Sequence, residues 1–316
     1  MVDNDSNNSA LTLGDDESIA VGDYEIEYNS TDDDWQVTSP DGNETTVPRS
    51  TTDSLVPQGL AESVSAGEAL ADDGNTYASV QTAVDNATGW VFVGPGTFNE
   101  SVTISTAGLT LEGSGYDTLI DSGSSGNSIT INSDNCTINS VSVSNDSGRS
   151  TNEVGVEING QNITVENTTI RDSDFRGFEV NGSGATVTGC KVERSDAESI
   201  FIQGTEAIVS SNVFSSSNSD GGSGATSVYL VGSNSSDNSI VVNNIVRDSG
   251  QDGIELRSVD CVVIGNRVIN SSLDGILIAS ADTIVANNRV SDSGGTDIND
   301  SGTGTVLDSN KTGASN

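Results

Sequence analysis

A repeat of 22 residues constrains this chain more than any other feature of its sequence. The run Gly253 to Leu256 returns at this step as Gly275 to Ile278. The same step separates three earlier apolar runs, which begin at Val156, Phe178 and Ile200. Such a unit is too short for a pair of helices, but it fits one coil of a parallel β-solenoid. We therefore predict short strands that pair with their copies one coil on, with alternate apolar residues pointing inward.

A second column keeps the same spacing within each of two runs, at a corner of the coils. The first run is Thr168, Cys190 and Asn212, and the second is Asn244, Asn266, Asn288 and Asn310. Stacked asparagines can hydrogen-bond to one another and satisfy the polar groups of tight turns. The sequence thus predicts a buried amide ladder beside the aliphatic core.

The charge balance narrows the functional classes. The chain carries 47 acidic and 11 basic residues, a formal net charge of -36, and no histidine. It would repel a polyanion, so nucleic-acid binding is excluded. At molar salt the Debye length falls to about 3 Å and self-repulsion is screened, which favours a halophilic source.

The three cysteines, Cys136, Cys190 and Cys261, are too few and too far apart for a disulfide framework or zinc site, so we predict buried thiols and neither metal nor cofactor.

Targeting signals are not evident. No apolar run near Met1 is long enough for a signal peptide, and nothing approaches a membrane span. We therefore expect a chain that is not exported by the ordinary secretory route.

Three regions follow from composition and patterning. Residues 1–57 alternate apolar and polar runs and predict a small β-rich adaptor or anchor, with a linker from Thr45 to Pro57. Residues 58–89 predict capping helices over Gln58 to Leu70 and Tyr77 to Val84. Residues 90–316 predict the solenoid.

The opening of the solenoid resembles a known superfamily. Tyr77 to Val84 (YASVQTAV), Val91 to Glu100 (VFVGPGTFNE) and Leu109 to Gly113 (LTLEG) are similar to the start of right-handed parallel β-helix proteins of the pectate-lyase-like superfamily. The resemblance implies an all-β, right-handed parallel β-helix of about nine or ten coils with a short helix capping the first. It does not imply one activity, because pectinases, epimerases, lyases and viral tailspikes share this fold.

Two coils carry Ser/Asn/Gly/Asp-rich insertions, Val143 to Glu153 and Phe214 to Thr226. Both precede the strand that begins at the glycine position, so we expect them on one edge of the solenoid, where function is usually carried. The outward residues of that strand form one column: Glu157, Glu179, Phe201, Tyr229, Glu255 and Leu277.

This column supplies the predicted ligand-binding residues. Phe201 and Tyr229, expected as exposed aromatics, predict a platform for sugar stacking, with Glu179, Glu255 and Arg176 as polar partners. No catalytic residue is assigned. Glu157 and Glu179 would stand about 5 Å apart, near the carboxyl separation of retaining glycosidases.

Asp172 and Asp174 are further catalytic candidates, as a base or calcium ligand. A chain this acidic places outward carboxylates on adjacent coils often, so these positions remain candidates only. Polygalacturonase-like sites need a histidine, and this chain has none, so the sequence argues against that class of enzyme. Elsewhere, Arg267, Arg289 and Lys311 form a basic ladder that we expect to pair with acids such as Asp248 and Asp292.

Together these features predict a virion surface protein of a halophilic archaeal virus, a tailspike, tail fibre or capsid spike that binds host-surface glycans. The N-terminal region would contact other virion proteins. A homo-oligomer, most simply a trimer, would shield the open strand edge near Leu307 to Lys311. The alternatives are a secreted polysaccharide lyase or glycoside hydrolase and a cell-surface adhesin, located outside a haloarchaeal cell or on its surface.

Overall fold

The structure is a computed structural model that divides into two compact units, Met1–Ser63 and Val64–Asn316. It describes the backbone of residues 18–21, 24–29, 34–38 and 44–48, and the full residues in 64–123, 126–145, 153–215, 225–232 and 236–313. The predicted boundary between residues 57 and 58 lies outside the described residues.

The first unit contains a four-stranded antiparallel meander. Its strands, in sheet order, are β1 (Ser18–Val21), β2 (Tyr24–Asn29), β3 (Asp34–Thr38) and β4 (Glu44–Pro48). Trp35 of β3 pairs with Tyr28 on one side and with Val47 on the other. The prediction that the linker begins at Thr45 is wrong, because the alternating segment Glu44–Pro48 completes the sheet.

The second unit opens with β5 (Ala69–Ala71), β6 (Thr76–Tyr77) and helix α1 (Val80–Asn86). The predicted helix over Gln58 to Leu70 is wrong in its described part, since Ala69–Ala71 pairs antiparallel with β6 and with the first solenoid strand. The predicted second helix is confirmed as α1. Its N-terminus is fixed by Glu100 of the first coil, whose carboxylate accepts hydrogen bonds from Ser79 Oγ at 2.7 Å and from the N–H of Val80 at 2.8 Å.

Three parallel sheets then alternate along the chain. Sheet A contains β7 (Trp90–Val93), β10 (Thr110–Gly113), β13 (Thr137–Asn139), β16 (Thr164–Glu166), β19 (Thr186–Thr188), β22 (Ile208–Ser210), β25 (Ile240–Val242), β28 (Val262–Ile264), β31 (Ile284–Ala286) and β34 (Val306–Asp308). Sheet B contains β8 (Gly96–Phe98), β11 (Thr118–Asp121), β14 (Ser142–Ser144), β17 (Thr169–Asp172), β20 (Lys191–Val192), β23 (Val213–Ser215), β26 (Ile245–Arg247), β29 (Arg267–Ile269), β32 (Arg289–Ser291) and β35 (Lys311–Thr312). Sheet C contains β9 (Val102–Ile104), β12 (Ile129–Ile131), β15 (Val156–Ile158), β18 (Phe178–Val180), β21 (Ile200–Ile202), β24 (Val228–Leu230), β27 (Ile254–Leu256), β30 (Ile276–Ile278) and β33 (Ile298–Asp300).

Each of the first nine coils contributes one strand to each sheet, and the last described coil contributes β34 and β35 to sheets A and B. Each strand pairs in parallel with the equivalent strand one coil on. The predicted right-handed parallel β-helix is confirmed. Its core consists of inward columns such as Val187, Val209 and Val241 of sheet A, all almost fully buried. At the last coil the corresponding residue, Leu307, is 48% exposed, because no further described coil covers it.

The predicted amide ladder is also present at the corner between sheets A and B. Asn266 accepts hydrogen bonds through Oδ1 from the backbone N–H of Asn244 at 2.9 Å and from Asn244 Nδ2 at 3.0 Å. Its own Nδ2 donates to the carbonyl of Val241 at 2.9 Å and to Asn288 Oδ1 at 3.1 Å. The pattern repeats along the ladder, so the buried polar groups of this corner are mutually satisfied.

The longer connections lead from sheet B to sheet C, as predicted. They comprise residues 145–155 and 216–227, of which 146–152 and 216–224 lie outside the described residues. A third long connection, 231–239 between β24 and β25, was not predicted. No helix in the described part of the chain is long and apolar enough to cross a membrane.

Candidate functional site

The outward column of sheet C has the predicted register. Glu157 lies beside Glu179, which lies beside Phe201, and the series continues through Tyr229 and Glu255. Strand alternation forces this arrangement, because the flanking residues Phe178 and Val180, like their counterparts in neighbouring strands, fill the core. The structure therefore brings the predicted binding residues of successive coils onto one face.

Arg176 organises the centre of this face. It lies at the corner that precedes β18, and its guanidinium contacts Glu179 through Nη1 at 2.9 Å and Glu198 through Nε at 2.9 Å. The same guanidinium lies over the Phe201 ring, with Cζ 3.5 Å from the ring centroid. It also lies over the Phe175 ring, with Cζ 4.5 Å from that centroid. A cation held by two carboxylates and two aromatic rings has few remaining rotamers, so the group is preorganised.

The two aromatic rings form one unit. Phe201 and Tyr229 meet edge to face, with centroids 5.5 Å apart and an interplanar angle of 67°. Both residues are half-buried rather than exposed as predicted, because Arg176 covers one face of Phe201 and the rings cover each other's edges. Burial raises the pKa of Tyr229 above its usual value, against an opposing effect of the Arg257 charge and with smaller raising contributions from Glu255 and Glu198.

Glu255 is buried, in contrast to the other carboxylates of the column. Its Oε1 accepts from Arg257 Nε at 2.5 Å, and its Oε2 accepts from Thr226 Oγ1 at 3.2 Å. Arg257 Cζ lies 6.0 Å from the centroid of the Tyr229 ring. Glu255 therefore positions Arg257 beside the aromatic pair, and the guanidinium is the accessible group.

Glu157 has a different set of neighbours. Its Oε2 accepts from Asn127 Nδ2 at 2.8 Å and from Thr130 Oγ1 at 3.4 Å. Asn127 Oδ1 in turn accepts from the N–H of Val154 at 2.7 Å. Glu157 and Glu179 are thus on adjacent strands but in different environments, one held by an amide and the other by a guanidinium.

A second amide ladder borders the column where the sheet C strands end. Asn159 Nδ2 donates to Asn132 Oδ1, Asn181 Nδ2 to Asn159 Oδ1, and Gln203 Nε2 to Asn181 Oδ1, each at 2.9 Å. Asn132, Asn159 and Gln203 are exposed. The face therefore offers carboxylates, guanidinium groups, two aromatic rings and a row of amides, which is the chemistry that binds sugar hydroxyls and sugar ring faces.

The remaining predicted candidates lie before this column in the chain. Asp172 ends β17 on sheet B, after a bulge in the pairing with β14, and forms an ion pair with Arg194. Asp174 is buried at the following corner, and its N–H donates to Asn145 Oδ1 at 3.3 Å. The bulge sets where this corner begins.

The acidic and thiol side chains limit the metal and thiol chemistry of the described residues. Within the described residues, no group of three or more His, Cys, Asp or Glu side chains is arranged to hold a metal ion. All three cysteines are buried and free, as predicted. Burial raises the pKa of Cys190 to about 12 and that of Cys261 to about 11, so neither supplies a thiolate at neutral pH.

Several site residues escaped sequence reasoning. Glu198 stands 22 residues after Arg176, one coil on, so its spacing was a usable signal. Arg257 follows Glu255 by two positions, a spacing that puts both side chains on the same face of an extended segment. The amide ladder shows the same 22-residue step from Asn159 to Asn181 to Gln203.

Comparison with known proteins gives structural neighbours only. No family model matches the chain, and no curated protein matches its sequence. ORF18 of Geobacillus virus E2 is similar over 92% of this chain and 67% of its own, with 13% identity and a TM-score of 0.50. The tailspike protein of E. coli bacteriophage HK620, solved in complex with a pentasaccharide, is similar over 77% of this chain and 55% of its own, with 14% identity and a TM-score of 0.51. At these identities the likeness shows the fold alone, and the chain spans about half the length of the tailspike that it matches.

Proposed function

We propose that this chain is a virion surface protein, a tailspike, tail fibre or capsid spike, that binds host-surface glycans through the outward face of sheet C. The observation that most supports this proposal is the contact group of Arg176, Phe201 and Tyr229, which lies beside a row of amide side chains. The pentasaccharide complex of the HK620 tailspike supports the glycan as ligand class, since that protein shares the fold. A virus of halophilic archaea is the proposed source, because a net charge of -36 suits molar salt.

Partners follow from the same proposal. The antiparallel unit of residues 1–63 would contact other virion proteins, and copies of the chain would associate, most simply as a trimer.

The test is binding of the purified protein to isolated haloarchaeal cell envelopes at molar KCl. Phe201→Ala and Tyr229→Ala are expected to weaken binding by roughly tenfold to 100-fold each, as loss of a stacked aromatic costs about 1–3 kcal/mol. Tyr116→Ala is the matched control. Its ring is exposed and also carries a guanidinium, that of Arg171 at 3.8 Å, but it lies at the corner between sheets A and B. Equal loss in the control, or no loss in either site variant, would refute the assignment of the face.

One observation favours a second candidate, a secreted polysaccharide lyase or glycoside hydrolase. Glu157 and Glu179 occupy paired positions on adjacent parallel strands, about 5 Å apart at the backbone. The same incubation would then release new reducing ends or unsaturated sugars. Product formation that is abolished by Glu157→Gln or Glu179→Gln would replace the binding proposal with an enzyme. Binding without product supports the spike. A cell-surface adhesin, the third candidate, would be distinguished by immunolabelling, because an antibody against the chain would then label cells rather than virions.

A further inference from the structure

An aliphatic stripe runs along the outside of sheet A. The first outward column of this sheet begins with Trp90 and continues, in order of coils, with Thr110, Thr137, Thr164, Thr186, Ile208, Ile240, Val262, Ile284 and Val306. The second outward column changes in the same way, from Glu166, Thr188 and Ser210 to Val242, Ile264 and Ala286, and ends at Asp308. In the first column, five consecutive coils thus present aliphatic side chains where the four preceding coils present threonine.

These side chains are not covered by the described chain. Ile208 is 39% exposed, Ile240 36%, Ile284 42% and Val306 53%. Inward positions already fill the core, so the outward column is not needed for folding of the coils. In a chain of net charge -36, a contiguous aliphatic stripe is the feature that marks a protein interface.

The two flanks of the stripe carry opposite charge. The corner between sheets C and A contributes the exposed acids Glu206, Asp260 and Asp282, which we name the acidic flank. On the other side, sheet B presents the exposed basic ladder of Arg267, Arg289 and Lys311.

Among the ion pairs within the described residues, none involves the basic ladder. The predicted pairing with Asp248 is absent, and Asp248 instead accepts a hydrogen bond from Asn270. The pairing with Asp292 stays a prediction. The two flanks repeat at the same interval, about 4.8 Å per coil. They are therefore matched in spacing as well as in sign.

We propose that the aliphatic stripe with its two flanks is the surface by which parallel copies of this chain associate. A ring of copies needs two different complementary surfaces on each chain, and the acidic flank of one copy facing the basic ladder of the next provides them. The stripe alone, about 20 Å long and two side chains wide over three of its five coils, offers roughly 300 Å², less than the ~800 Å² per partner of a stable interface. The flanks must therefore contribute, which is why the partner is a second copy with the same repeat. The inference rests on the proposed homo-oligomer but not on the glycan site.

The experiment is the mass of the full chain at molar KCl, measured by light scattering and sedimentation. Ile240→Glu with Ile284→Glu is expected to dissociate the oligomer, weakening association by roughly 100-fold or more, because unpaired carboxylates would be buried at the interface. Thr137→Glu with Thr164→Glu is the matched control in the same column and should leave the mass unchanged. Circular dichroism establishes that each variant is folded.

Charge reversal gives an independent readout. Arg289→Glu chains and Asp282→Arg chains should each associate weakly, whereas a chain that carries both substitutions should regain association, since each altered flank then faces the opposite charge on the next copy. A monomeric wild-type chain would overturn both this surface and the proposed homo-oligomer. An oligomeric wild type that persists in the isoleucine double variant would overturn this surface alone. Glycan binding, measured separately, decides the function of sheet C in either case.

Discussion

Replacing Asn266 by alanine tests whether the buried amide ladder holds the coils together. The side chain is almost fully buried and makes four ladder hydrogen bonds of 2.9 Å to 3.1 Å. Its loss leaves the backbone N–H of Asn244, one Nδ2 proton of Asn244 and the carbonyl of Val241 without this partner. Asn288 Oδ1 keeps the backbone N–H of residue 266, so the ladder is cut in one direction only.

The magnitude follows from those three groups. Each buried polar group that loses its partner costs about 1–3 kcal/mol, so the three groups together predict a loss of about 3–9 kcal/mol in the free energy of unfolding. For a unit of this size, 1 kcal/mol corresponds to roughly 2–4 °C in the melting temperature. Thermal unfolding followed by circular dichroism at molar KCl should therefore show a drop of about 6–36 °C.

Two comparison variants separate hydrogen bonding from packing. Asn266→Asp keeps the shape but turns a donor into an acceptor facing Val241 and Asn288, so it should destabilise at least as much as alanine at pH 7. Asn99→Ala removes an exposed asparagine and should change stability by less than about 0.5 kcal/mol. An aspartate variant as stable as the wild type, or an equal effect at residue 99, would refute the role of the ladder.

Two further predictions concern Arg176, on the outward face of sheet C, and Asp252, which is buried at the corner before β27. Arg176→Gln should lower the free energy of unfolding in urea by about 2–4 kcal/mol, because it leaves the Glu179 and Glu198 carboxylates close together without their shared cation. Arg194→Gln, at an exposed ion pair, should cost less than about 1 kcal/mol. Equal effects of the two substitutions would contradict the preorganised centre. Burial raises the pKa of the Asp252 carboxyl above 3.8, so the folded state binds its proton more tightly than the unfolded state does. The contribution of Asp252 to the free energy of unfolding therefore falls as the pH rises through that raised pKa. Asp252→Asn should therefore raise the melting temperature at pH 7 and lose this advantage below about pH 3, while a constant difference across pH would show that titration is not the cause.

The repeat made the solenoid predictable because pairing between coils preserves sequence spacing. Once Val156, Phe178 and Ile200 are known to share a position, the outward residues between them must share a face. The same logic placed the amide ladder from Asn212 to Asn310, since a corner residue stacks on its copy one coil away.

Non-repeating features were predicted less well. The ten residues beyond the regular step between Val209 and Val241 were assigned to a single insertion, but the structure divides them between 216–227 and 231–239. The strands β4 and β5 depend on a pairing partner rather than on their own few residues, so local patterning did not find them. Long side chains were also out of reach, because spacing shows that Arg176 and Glu198 are neighbours but not that the guanidinium turns over Phe201.

The solenoid keeps its core and its surfaces independent of one another. Inward positions hold the aliphatic columns in every sheet, so the outward positions of each sheet can vary without cost to the fold. Sheet C uses this freedom for aromatic, charged and amide groups around Phe201, and sheet A uses it for the aliphatic stripe around Ile240. Because the two surfaces belong to different sheets, association through sheet A leaves the sheet C face of each copy available. One repeat can therefore supply both the surface that joins copies of the chain and the surface that each copy presents to a glycan.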